Sequence, residues 1–158
     1  MLYDTFRSPL GLLYLIFWED ALAEIRFERN TRELFPASYR KGQAPGHFKE
    51  QLREYFLGNL QRFDVDVVFT RGSEFDMTVW WYLKEIPYGE TRTYKWLAHR
   101  IGNPGAVRAV GRALGRNPLP IVFPCHRVIK SDGSLCGYAS GVEAKSNLLA
   151  LERYARAR

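Results

Sequence analysis

Cysteine is nearly absent: two residues, Cys125 and Cys136, in a chain of 158. Their spacing matches no zinc framework, so a metal scaffold is excluded and a free thiol in a reducing compartment is the expected state. Long apolar runs are missing as well. The stretch Leu10 to Trp18 is too short to span a bilayer, and no basic segment precedes it. A soluble, cytoplasmic protein without a membrane partner is expected. Repeats and low-complexity tracts are also lacking. So is any basic excess in the first half, where residues 1–69 hold nine Lys/Arg against ten Asp/Glu. Residues 70–158 hold fourteen against seven, so the formal net charge of +6 comes entirely from the second half. An anionic partner such as nucleic acid would bind there.

The chain is long enough for one ordinary domain or two small ones. Leu12–Trp18 and Ala21–Phe27 read as strands joined by a turn at Glu19-Asp20. Phe48, Leu52, Tyr55 and Phe56 recur at helical spacing and stop at Gly58-Asn59, and alternating Phe63, Val65 and Val67 predict a further strand. "TRGSE" at 70–74 is a plausible junction. Beyond it Phe75, Val79, Leu83 and Ile86 form a helical stripe ended by Pro87-Tyr88-Gly89. Thr91 or Thr93 can cap a second helix, with Tyr94, Leu97, Ala98 and Ile101 inward. A third runs through "GAVRAVGRALGRN", with Val107, Val110 and Leu114 inward. The fold class is therefore α+β: a small sheet-plus-helix domain over 1–69, then a mainly helical domain over 70–158 with a winged-helix-like helix-turn-helix.

Two patterns in the second half can carry chemistry. The helices joined by "IGNPG" fit a helix-turn-helix whose second helix shows Arg108, Arg112 and Arg116 at spacing four, suited to phosphates. Small residues Gly105, Ala106 and Ala109 would permit close approach to a groove. The second pattern is "NPLPIVFPCHRVI", where Pro124 fixes the backbone just before Cys125-His126-Arg127. An imidazole can accept the thiol proton, and nearby positive charge lowers a thiol pKa, so a thiolate at neutral pH is expected. Such an imidazole needs a third group to orient it, and Glu152, Asp132 and Glu143 are all candidates by spacing. The loop "SDGSLCGYASGVEAK", rich in small residues, could let backbone groups line a pocket for a flat polar ligand.

"NPLPIVFPCHRVI", preceded by "IPYGETRTYKWLAHRIGNPGAVRAVGRAL" and followed by "GYASG" and "LLALE", resembles the O6-alkylguanine-DNA alkyltransferases, or methylated-DNA–protein-cysteine methyltransferases. The likeness covers residues 75–152; residues 1–69 fit that family's N-terminal domain only by size and element order. It implies direct reversal of damage in double-stranded DNA containing alkylated bases. The protein would act as a monomer from the minor groove, after the base is flipped into a pocket. The alkyl group of O6-alkylguanine, and by implication of O4-alkylthymine, passes once and irreversibly to Cys125, without a cofactor.

By the same resemblance His126 is the water-mediated base, Glu152 orients it, and Asn117 braces the active-site turn. Tyr94 aids nucleotide rotation and donates to the departing guanine. Val128 (through backbone groups), Tyr138, Ala139 and Lys145 form the pocket. Arg108 is the finger that fills the vacated stack, with Gly105, Ala106, Ala109 and Arg112 beside it on the DNA. Ser140 stands where relatives commonly have glycine, Ala139 replaces a serine found in some, and Cys136 is an added thiol read as filler. Some members bind zinc in the N-terminal domain. Residues 1–69 offer only His47, so no metal is expected. Two other readings are a damage sensor that transfers nothing, against which Cys125 itself argues, and a redox-responsive DNA-binding regulator.

Overall fold

The structure, a computed structural model, describes residues 1–28, 35–135 and 141–157. The chain divides into two compact units, Met1–Thr70 and Arg71–Arg158.

The first unit is a four-stranded sheet ordered β3-β2-β1-β4, built from β1 (Leu2–Ser8), β2 (Gly11–Trp18), β3 (Ala21–Phe27) and β4 (Arg40–Lys41). Both hairpin pairings are antiparallel, and β4 runs parallel to β1. Helix α1 (Phe48–Phe56) covers one face: Phe48 meets Phe17 edge-on at 6.3 Å and Phe56 meets Phe6 at 6.2 Å. Leu13, Leu15, Leu22 and Leu52 complete a dry core.

Strand β1 escapes pattern reading because Asp4 occupies a core-side place between Leu2 and Phe6. Its carboxylate is satisfied there by the N–H groups of Thr5 (2.7 Å) and Ala44 (2.8 Å) and by Lys49 (3.2 Å). Burial acts to raise the Asp4 pKa, but these donors outweigh it and hold the carboxyl below its usual value.

The strand expected over Phe63, Val65 and Val67 is corrected. It makes a single bridge, Val67 to Leu22, with Leu22 N–H donating to Asp66 C=O and Val68 N–H to Leu22 C=O. The Gln51 amide binds both backbone groups of Asp64, each at 2.7 Å, so a side chain replaces the ladder there.

The second unit is mainly helical: α2 (Glu74–Leu83), α3 (Tyr94–Arg100), α4 (Val107–Gly115) and α5 (Val142–Ala157), with a two-stranded parallel pair of β5 (Arg92–Thr93) and β6 (Val128–Ile129). A Ser73–Asp76 capping box starts α2. Thr93 caps α3 by accepting the Trp96 N–H at 3.0 Å. The buried Trp80 indole donates to the Ala113 carbonyl at 2.8 Å, tying α2 to α4. Val107 is not inward as expected: Val110, Ala113 and Leu114 form the buried face, and Val107 is 36 % exposed. Arg116 also leaves the expected phosphate-facing row, because its guanidinium grips the Asp76 carboxylate at 2.7 and 3.2 Å. Among the described residues no helix is long and apolar enough to cross a membrane, and no group of three or more His, Cys, Asp or Glu could hold a metal.

Candidate active site

The segment 117–127 does not run as a strand; pairing begins only at Val128, in β6. Asn117, buried at the end of α4, receives the Leu119 N–H on its Oδ1 (2.9 Å) and donates its Nδ2 to the Phe123 carbonyl (2.9 Å). The Phe123 N–H donates in turn to Leu119 C=O, and Ile121 adopts φ 76°, a left-handed conformation rare for a β-branched residue. This over-determined loop delivers Pro124 and then a 3-10 turn over Cys125–Arg127, all buried. The Val128 N–H closes that turn on the Cys125 carbonyl.

Burial dominates the Cys125 thiol and pushes its pKa up to about 11. The Asn117 side chain, the Lys145 charge and the N–H groups of Cys125 and His126 pull the other way without prevailing. The expected neutral-pH thiolate is thereby corrected: burial keeps the thiol protonated. A thiol whose folded pKa lies above its ordinary 9.0 contributes stability that is full below about pH 9 and lost as pH rises through about 11. Wild-type protein should therefore lose about 2–3 kcal/mol more than Cys125→Ser across that window in urea titrations. Parallel curves would show that the sulfur is not so desolvated.

Glu152 is the point on which the neighbouring groups converge. Its carboxylate lies 2.7 Å from His126 Nε2 and receives Arg127 Nε (2.9 Å), Arg127 Nη2 (2.8 Å) and the Gly89 N–H (3.2 Å). Burial alone would raise the pKa of Glu152, but His126 and Arg127 outweigh it and hold the carboxyl well below its usual range. An ionised Glu152 accepts a hydrogen bond from His126 Nε2–H, which leaves Nδ1 as an acceptor. Nδ1 is buried and has no hydrogen-bond partner among the described residues. Burial keeps the imidazole neutral by lowering its pKa, against the pull of Glu152. The site thus holds a thiol, a neutral base beside it in sequence, and an ionised group orienting that base.

Of the three acidic candidates, the structure brings Glu152 to His126. Asp132 caps its own turn at Ser134 instead. Sequence reasoning missed the clamp formed by Arg127, Gly89 and Ile86. Arg127 Nη1 donates to the Ile86 carbonyl at 2.8 Å. A Cβ at Gly89 would lie 2.8 Å from Arg156 Cδ, at φ +78°, so the Pro87-Tyr88-Gly89 stop also shapes the carboxylate's cradle.

Family models match both parts of the chain: "6-O-methylguanine DNA methyltransferase, ribonuclease-like domain" over residues 1–69 and "6-O-methylguanine DNA methyltransferase, DNA binding domain" over 74–154. The chain belongs to the 6-O-methylguanine DNA methyltransferase family. A methylated-DNA–protein-cysteine methyltransferase of Methanosarcina acetivorans is 47% identical over 156 residues, covering 96% of this chain and 98% of the relative. The one from Mycolicibacterium paratuberculosis is 48% identical, covering 96% and 92%. The crystal structure of Mycobacterium tuberculosis OGT in complex with DNA superposes with a TM-score of 0.90 at 41% identity, over 98% of this chain and 94% of that one.

The remaining residues singled out as a methyltransferase site lie as follows. Tyr94 opens α3, and its ring borders Gly111 of α4, where an added Cβ would lie 3.9 Å away. Lys145 is buried on α5, its Nζ 5.9 Å from the Tyr94 ring centroid. Arg108 and Arg112 are exposed on α4; Gly105, at its approach, is also exposed, and a Cβ there would meet nothing within 4 Å. Ala106 and Ala109 are half-buried nearby. Tyr138, Ala139, Cys136 and Ser140 lie outside the described residues.

Proposed function

We propose that this protein repairs DNA by moving the alkyl group of O6-alkylguanine, with O4-alkylthymine a further substrate, onto its own Cys125, once per molecule. The observation that carries this reading is Cys125 standing beside a neutral His126 whose partner, Glu152, is ionised. The printed names of the relatives and the domain match support it.

In this scheme the thiol proton passes to His126 Nδ1 through a bridging water as the sulfur attacks the alkyl carbon in line. A new S–C bond forms, the C–O6 bond breaks, and the electron pair leaves on guanine. Tyr94, assisted by Lys145, passes a proton to the departing guanine anion, and the thiol proton held on His126 restores the Tyr94 hydroxyl through water as the base is released. A thioether is stable at neutral pH, so no turnover follows. Deprotonation needs to occur only when the substrate fills the site, which accords with a thiol held protonated at rest. Val128, Tyr138, Ala139 and Lys145 are assigned to the base pocket, Val128 through its carbonyl, because its N–H is taken by the Cys125 carbonyl.

Double-stranded DNA is the partner, bound by a monomer through the minor groove, in the cytoplasm. Gly105, Ala106, Ala109 and Arg112 lie at the groove, and Arg108 enters the stack. Incubation with a duplex holding one O6-methylguanine should place one methyl group on Cys125, read by mass spectrometry. Binding without modification would indicate a sensor, and oxidation-sensitive binding to undamaged sequence would indicate a regulator. Arg108→Ala should slow repair of the duplex by about tenfold or more while sparing reaction with free O6-benzylguanine, because only a duplex leaves a gap to fill. Equal losses on both substrates would remove the finger role.

A further inference from the structure

The first unit carries a groove of about 740 Å³ that the repair reaction does not use. It follows the edge of β1. The carbonyls of Met1 and Tyr3 accept from Arg40 and Gly42, so the odd-numbered residues of β1 turn their backbone groups toward the β4 side. Strand β4 pairs only with Leu2 and Tyr3. It ends there because the next available donor, the Ala44 N–H, turns to the Asp4 carboxylate, which also takes the Thr5 N–H. The Thr5 carbonyl and both backbone groups of Arg7 are left along the edge, and no described residue hydrogen-bonds to them.

The lining is as one-sided as the edge is open. Arg7, Lys41, Lys49 and Arg53 border the groove, and no carboxylate does. Lys49 is engaged with Asp4, whereas Arg7, Lys41 and Arg53 are exposed and make no ion pair with a described residue. Phe56, the last residue of α1, and Leu57 just after it supply an apolar floor. This lies in the half of the chain whose overall charge is slightly negative, so the cations are a local concentration and not a share of a general excess.

We propose that this groove docks an extended acidic peptide of a partner protein, which adds as a strand to the Thr5–Arg7 edge. Main-chain pairing supplies affinity in such additions, and alternate side chains supply selectivity. Here one face of the added strand meets Arg7 and Lys41, and the other, on the α1 side, meets Arg53, Phe56 and Leu57. The open Thr5 and Arg7 groups call for amide donors and carbonyl acceptors at strand spacing, which a nucleic-acid backbone lacks. A peptide therefore fits better than a nucleic-acid strand.

The test uses the whole protein and fluorescence anisotropy with a labelled peptide alternating Glu and Val. That peptide should bind, and its backbone N-methylated form and its Lys-for-Glu form should not. The double variant Lys41→Glu/Arg53→Glu should weaken binding by at least about tenfold, with methyl transfer to Cys125 unchanged as proof of folding. Absence of binding would overturn the proposal and return these cations to guarding a bare strand edge. Equal binding of the N-methylated peptide, the lysine peptide or an oligothymidine strand would overturn it as well.

Discussion

Cys125→Ser is expected to reduce alkyl transfer below detection while leaving affinity for undamaged duplex unchanged. The serine hydroxyl is close in size to the thiol and can keep the Asn117 contact, so the loop held by the Leu119 and Phe123 hydrogen bonds should persist. Its reactivity does not persist. Alkyl transfer needs a nucleophile that is polarisable and ionisable when the substrate arrives, and an alkoxide is far harder to form than a thiolate at any working pH. The difference is one of chemistry, because the neutral His126 that would take the proton remains in place in either protein. Clearance of O6-methylguanine from a duplex, followed by digestion and chromatography, measures the result directly. Clearance at the wild-type rate would sink the assignment of Cys125 as acceptor.

Glu152→Gln should cost both stability and rate. The native carboxylate answers His126 and a guanidinium at once, and all three groups are buried. Removing its charge leaves Arg127 desolvated without a counter-ion, a loss of about 3–5 kcal/mol for a broken buried pair. The glutamine can also present its NH₂ to His126, favouring the tautomer with the proton on Nδ1 and removing the acceptor that faces away from Glu152. Single-turnover transfer should then slow by about 10²-fold or more.

The pH response separates the two effects. The folded protein keeps His126 neutral and Glu152 ionised, and both shifts are downward, so their contributions are present at neutral pH and lost on acidification. Wild-type stability should begin to fall below about pH 6.5 as unfolded histidine gains protons, and fall further below about 4.5. The variant should lack the lower limb. Unchanged urea midpoints for the two proteins at pH 7 would mean that the clamp contributes nothing.

Much of the fold was legible because local periodicity matched burial. Strands β2 and β3 and helices α1 and α2 follow apolar spacings that survive into the structure. The failures are equally local in origin. Strand β1 hides an aspartate on its core side, and the apolar alternation of Phe63, Val65 and Val67 meets a glutamine side chain instead of a strand. Val107 obeys helical spacing on paper, yet it is the first residue of α4 and stays 36 % exposed, while the buried face falls on Val110, Ala113 and Leu114.

The sequence by itself determined that a cysteine, a histidine and an arginine would stand together behind a proline, and that the basic residues would gather in the second half. Spacing left three acids as possible partners of the histidine. Only the tertiary structure decided among them, by bringing α5 against the Cys125–Arg127 turn so that Glu152 meets His126, Arg127 and Gly89 together. It alone decided the state of the thiol. Desolvation depends on what surrounds an atom in three dimensions, and here it outweighs the Asn117 hydrogen bond and the charge of Lys145, neither of which adjacency in sequence supplies.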